Sequence, residues 1–290
     1  MSEVSKPRQM SKQELVEGFR GIGLKAGDKV MVHSSIKAVG RTEGGPEGVV
    51  LALQEVLTPR GTLMMPSFNH AKPWQERGKG FYDPTRTPTW NGAIPDAFWR
   101  MGGVLRSLDP THPFACWGAD AQRYTQFHHR TLTMGADSPL GMLARDGGLC
   151  VMLGVGYKPN TYHHVVEMTI GSPCLGLRTE AYPVHLAGGR VVMGRTWGWR
   201  SSPCPITDRQ LYPGRMAAYE KRGTLGICPT IVFKFSDAWE VISEALREGM
   251  EGFPPCSRCP IRPRASAFAV ESDWDSAGGC LKSDSVAWTY

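Results

Sequence analysis

No run of apolar residues in this 290-residue chain approaches the roughly 18 to 20 that a membrane-spanning helix requires. The first ten residues are polar and lack the apolar core of a signal peptide, so the expectation is a soluble, cytoplasmic chain. A polybasic arm is also missing. Lys and Arg (33) outnumber Asp and Glu (27), but the excess of six is spread along the sequence. That distribution disfavours a nucleic-acid binder and a membrane-surface protein, and suits small anionic molecules. There is no internal repeat and no low-complexity tract, and 41% hydrophobic against 21% charged residues excludes disorder and coiled coil. The expected organisation is a single domain over 1–270 with a β-rich accessory portion around 170–230, followed by a tail at 271–290.

The eight cysteines are scattered through a chain too long to need staples, and without an export signal they are read as reduced thiols. Only Cys256 and Cys259 have metal-ligand spacing. A structural zinc site wants a second such pair, and none exists, so both are read as ordinary thiols and no metal is expected.

The periodicity predicts an α/β fold: a central mixed, largely parallel sheet flanked by helices, with a smaller β-rich accessory portion. Ser11 and Glu14 have capping-box spacing ahead of Leu15, Phe19 and Ile22. Lys29–His33, Thr62–Met65 and Leu149–Leu153 read as strands. A helix opened by Gly44-Gly45-Pro46 links the first two, which makes a βαβ unit. The stretch from Phe68 to Gly92 is irregular and aromatic, the kind of long loop that is usually functional. Ile94–Met101 reads as a short helix, Asp137-Ser138-Pro139 as a helix start, and Tyr182–Met193 as a hairpin around Gly188-Gly189. Ile227–Phe235 reads as a strand running into a helix capped by Asp237.

The densest polar constellation is Asn160-Thr161-Tyr162-His163-His164, with Glu167 after it, directly beyond the third strand. Ligands of open α/β sheets collect outside the carboxyl ends of strands. With Asn160 or Thr161 capping a new helix, Glu167 reaches either histidine at i,i+3 or i,i+4. A carboxylate beside an imidazole fixes its tautomer, which suits a general base. A zinc site is a rival use of the same three side chains, but adjacent helix residues diverge by about 100°. It would need a distant ligand such as His112 or His185. A covalent route is weak because no cysteine stands beside a histidine, and Cys116 and Cys150 read as packing residues. The turn His33-Ser34-Ser35 ends the first strand and exposes hydroxyls and amides to a ligand. Arg106-Ser107 and Thr111-His112 add a cation and polar groups in a mid-chain loop.

These pieces, in order, resemble the aminoglycoside 3-N-acetyltransferase family. The resemblance rests on Val32-His33-Ser34-Ser35 with Gly40, Asp83-Pro84-Thr85-Arg86-Thr87-Pro88 with Gly92, and Leu105-Arg106-Ser107 with His112-Pro113. It continues through Asp137-Ser138-Pro139-Leu140-Gly141 and Leu153-Gly154-Val155 to Asn160-Thr161, His164 and Glu167, spanning roughly residues 12 to 250. It implies acetyl-coenzyme A as co-substrate, a primary amine acceptor, and a role in antibiotic resistance. It selects His164 rather than His163 as the base, with Glu167 orienting it and Thr161 beside it. It also implies that His33, Ser34, Ser35, Val39, Gly40, Arg106, Ser107, His112 and Phe114 lie along coenzyme A. The acceptor it implies is an aminoglycoside 3-amino group, with an aminophosphonate or an amino sugar as alternatives. A homodimer is compatible with it. A coenzyme A-binding protein without activity and a metal-dependent hydrolase are the competing classes.

Overall fold

Three adjacent strands, β1 (Lys29–Ser34), β2 (Thr62–Pro66) and β5 (Leu149–Leu153), are apolar on both faces and form the centre of the sheet. Strands buried on both sides must be covered by helices on both sides, and that requirement organises the whole molecule. The computed structural model describes residues 8–69, 82–170, 176–198 and 213–249. The Cys256 and Cys259 pair, the expected tail and residues 70–81 of the aromatic stretch lie outside them.

The chain runs α1 (Lys12–Gly21), β1, α2 (Ile36–Val39), α3 (Gly45–Leu57), β2, α4 (Ala93–Arg100), β3 (Leu105–Arg106) and β4 (Phe114–Gly118). It continues with α5 (Ala121–Thr125), a 3-10 turn at His128–Arg130, α6 (Pro139–Arg145), β5 and α7 (Tyr162–Thr169). Then come β6 (Gly176–His185), β7 (Val191–Gly198), α8 (Pro213–Met216), β8 (Lys221–Leu225), β9 (Cys228–Lys234) and α9 (Phe235–Gly249). The Ser11 capping box forms as expected, and Ser138 caps α6.

One sheet of seven strands has the order β3-β4-β2-β1-β5-β9-β8, and β6 with β7 forms a separate two-stranded sheet. The parallel pairing expected from the βαβ unit holds at the centre, β1 with β2 and β1 with β5. The sheet is less parallel than its core suggests, because both flanks are antiparallel: β2–β4, β3–β4, β5–β9 and β8–β9. Short hairpin connections at β8–β9 leave no room for a crossover helix. The helix after β9 starts at Phe235, two residues before the expected cap, so Asp237 lies in its first turn.

Leu15 and Phe19 of α1, Val49 and Leu53 of α3 and Phe98 of α4 cover one face of the sheet, against Val32, Met65 and Val151. Leu140, Val165, Val166, Val241 and Ile242 cover the other, against Met31, Met64, Cys150 and Phe233. Gly154 ends β5 at φ 69°, where a Cβ would lie 2.3 Å from the Cβ of Ala38 and 2.9 Å from Sγ of Cys228. Only glycine lets that strand leave the sheet so close to α2. No helix among the described residues is long and apolar enough to cross a membrane.

Candidate active site

β1 carries His33 and Ser34 to the carboxyl edge of the sheet, where α7 begins. The two meet through Nε2 of His33 and Oγ1 of Thr161, 3.3 Å apart. Asn160 shapes this junction: its Oδ1 accepts from the Tyr162 amide at 3.2 Å, satisfying a donor that the helix start would otherwise leave unpaired. Thr161 occupies the N-cap position without capping, which leaves its hydroxyl for His33.

One turn further, Glu167 is fully buried between the two histidines. Its Oε2 lies 2.5 Å from Nδ1 of His164, and its Oε1 3.7 Å from Nε2 of His163. The second distance is too long for a hydrogen bond. A carboxylate only accepts, so Nδ1 of His164 carries a proton, and in the neutral ring Nε2 is the basic nitrogen. The rings of His163 and His164 stand at 81° with centroids 5.6 Å apart. Among the described residues, no group of three or more His, Cys, Asp and Glu is arranged to hold a metal ion.

The residues assigned to coenzyme A from the sequence separate into different environments. Ser34 is half-buried, and its Oγ has no hydrogen-bond partner among the described residues. Oγ of Ser35 accepts from the Ala38 amide at 3.4 Å and caps α2. Val39 is packed in the core, and Gly40 turns the chain at φ 83°.

Arg106 is buried. Its guanidinium donates to the carbonyls of Thr87 (2.6 Å), Ser67 (3.0 Å) and Pro84 (3.2 Å), and lies over the rings of Trp99 and Tyr82. Burial lowers its pKa, and the neighbouring Tyr82 opposes that shift. Arg106 therefore fastens three chain segments together.

Ser107, His112 and Phe114 belong to a buried network that also contains Asp109, His128 and Thr133. Oγ of Ser107 accepts from the Phe114 amide at 2.7 Å and lies 2.8 Å from Nδ1 of His128. Nε2 of His128 faces the Thr133 carbonyl at 2.9 Å, so it carries the proton and Ser107 donates to Nδ1. Burial lowers the pKa of His128 and keeps the ring neutral. Asp109 accepts from the amides of Thr111 and His112 and from the Thr133 hydroxyl. Sequence reasoning missed Asp109, His128 and Thr133. The signal was the Asp-x-Thr turn at Asp109, where a carboxylate bonds the backbone two residues on.

Cys116 and Cys150 are fully buried and desolvation pushes both thiols far up, while Cys228 is raised to about 11 by the same cause. None of these three is an activated nucleophile. A cleft of about 820 Å³ opens beside Arg106, lined also by Arg100, Arg190, Gln122, Gln126 and Trp99.

The fold itself defines a class. Two solved structures superpose on most of the chain: AAC-IIIb, binary with CoASH (TM-score 0.74, 21% identity, 86% of this chain and 99% of that one), and aminoglycoside acetyltransferase AAC(3)-IVa. For the latter, a histidine-to-alanine mutant in complex with gentamicin, the TM-score is 0.70 at 25% identity, over 91% of this chain and 99% of that one. The chain is an acyltransferase, and the family is defined by the match of residues 31–247 to the family model described as "Aminoglycoside 3-N-acetyltransferase". It belongs to that family. Aminoglycoside N(3)-acetyltransferase VII of Streptomyces paromomycinus is 34% identical over 261 residues, 79% of this chain and 88% of that protein. Aminoglycoside N(3)-acetyltransferase VIII of Streptomyces fradiae is 33% identical over 71% of this chain and 75% of that protein.

Proposed function

We propose that this enzyme moves an acetyl group from acetyl-coenzyme A onto the 3-amino group of an aminoglycoside, by direct attack of the amine. The observation that carries the reading is the 2.5 Å pairing of His164 with buried Glu167 at the head of α7. Acetyl-coenzyme A supplies the activated acyl group. An ammonium must lose a proton before nitrogen can attack, and Nε2 of His164 is the acceptor for it. Glu167 holds the ring in that tautomer and stabilises the imidazolium once the proton arrives. Thr161 offers a hydroxyl to charge developing on the thioester oxygen, a contribution of roughly 3 kcal/mol when well placed.

The residues fit the coenzyme. Ser34 presents an unpartnered buried hydroxyl at the carboxyl edge of a parallel strand, where α/β folds receive ligands. The cleft beside Arg106 is also lined by Arg100 and Arg190, whose positive charge suits phosphates. The relatives' names support the acceptor, as does gentamicin in AAC(3)-IVa, and CoASH in AAC-IIIb supports the donor. The reading places the protein in the cytoplasm as a single domain and is compatible with a homodimer.

Free thiol release decides the matter. Acetyl-coenzyme A with an aminoglycoside should release stoichiometric thiol, and the product should carry one added acetyl group by mass. No release with aminoglycosides, amino sugars or aminophosphonates would defeat the proposal.

A further inference from the structure

Beyond β2 the chain stays extended through Ser67, Phe68 and Asn69, and its backbone is held on both sides. The amides of Ser67 and Asn69 donate to the carbonyls of Pro113 (2.9 Å) and Thr111 (3.0 Å), which prolongs the β2–β4 ladder. On the other edge, the Phe68 amide donates to Oδ1 of Asn91 at 2.6 Å, and the Phe68 carbonyl accepts from the Trp90 amide at 2.9 Å. Arg106 fixes the Ser67 carbonyl at 3.0 Å.

The side chains contrast with this satisfied backbone. Phe68 packs edge-on against His112 and Phe114, with centroids 4.9 and 5.5 Å away. Alternation along an extended chain sends Ser67 and Asn69 to the opposite face, the one Met65 occupies. There, both residues are fully buried. Yet neither Oγ of Ser67 nor either polar atom of the Asn69 carboxamide has a hydrogen-bond partner among the described residues. Nε of Arg106 is left in the same condition.

An orphaned buried group costs about 1 to 3 kcal/mol, and three neighbours sharing that cost on one face point to a ligand that completes them. The place matches. The β1–β2 register pairs Met31 with Met64, and carried three residues on it sets Ser34 opposite Ser67. Ser34, on the same face, carries the fourth unpartnered group. A carboxamide beside a hydroxyl offers both acceptors and donors, the complement of a secondary amide's N–H and carbonyl.

We propose that Ser67 and Asn69 bind an amide of the pantetheine arm, continuing from Ser34 along the carboxyl edge of β1 and β2. This assignment rests on the coenzyme A reading above. Their role is binding of the co-substrate, separate from the proton transfer assigned to His164.

Calorimetric titration tests it, with coenzyme A, pantetheine and adenosine bisphosphate as separate probes. Ser67→Ala and Asn69→Leu should each weaken coenzyme A and pantetheine by about tenfold, the effect of one lost hydrogen bond to a buried partner. Adenosine bisphosphate should bind as it does to wild type. Without ligand, the melting temperature of both variants should hold or rise, because each removes an unpaired buried group. Wild-type affinity for pantetheine in both variants overturns the assignment, and so does a weakening confined to adenosine bisphosphate. A fall in the ligand-free melting temperature that accounts for the lost binding does the same. If Asn69→Leu does not fold, Ser67→Ala carries the test alone. Should wild type bind no coenzyme A, the proposed function fails first; should it bind and the variants match it, only this assignment fails.

Discussion

His33 and Thr161, separated by 128 residues of sequence, meet at 3.3 Å between Nε2 and Oγ1. This tie joins the end of the central strand to the head of the helix that carries the proposed base. Thr161→Val keeps the volume and removes the hydroxyl. Its kcat in the thiol-release assay should fall by about 100-fold, the size of a lost oxyanion donor, with the KM for acetyl-coenzyme A near wild type. Full turnover in that variant would remove Thr161 from the mechanism.

His164→Ala should abolish the proton transfer and lower kcat by about 100- to 10,000-fold. Coenzyme A affinity, measured by calorimetry, should stay near wild type, because the imidazole acts on the amine. Glu167→Gln should lower kcat less, since a carboxamide can still accept from Nδ1 of His164. Equal losses in the two variants would mean that Glu167 does more than orient the ring.

Ser107→Ala separates a structural from a cofactor role. The hydroxyl already satisfies the buried Phe114 amide and Nδ1 of His128. Its removal strands both, and should cost about 2 to 4 kcal/mol of stability by urea denaturation. An unchanged midpoint with weakened coenzyme A binding would return Ser107 to the cofactor.

Acid should destabilise the fold through the buried histidines. Burial, with Arg130 and His128 adding to it, lowers the pKa of His129 to about 4, and burial shifts His128 in the same direction. The unfolded chain takes up these protons near pH 6.5 and the folded chain does not, so the unfolded state binds more protons in between. Stability should therefore be full above about pH 6.5 and decline towards pH 4, by roughly 3 kcal/mol for His129 alone. Urea midpoints at pH 7 and 4.5 measure this, and His129→Asn should flatten the decline. A wild-type midpoint equal at both pH values would contradict the burial argument.

The three central strands, the βαβ helix and the capped starts of α1 and α6 were legible because their apolar periodicity is local. β3, β4 and β8 were not. Leu105–Arg106 is too short for any period, and Lys221–Leu225 is polar because it lies at an edge. The pairing of His164 with Glu167 follows from helix spacing and was readable. The bond between Ser107 and His128 spans 21 residues of irregular chain, which no local pattern encodes. Arg106 shows the limit of residue type as a guide: the resemblance set this cation along coenzyme A, and residue type alone did not reveal that its planar fork holds three carbonyls.

The ends of the seven-stranded sheet carry a consequence for assembly. On one side β3 offers two residues, and on the other β8 begins with exposed Lys221 and Arg222. Neither rim gives an incoming chain a long, uncharged row of amides and carbonyls to zip onto. Among the described residues these two rims therefore disfavour strand-to-strand pairing of two copies, and crowding should not seed fibrils from this sheet.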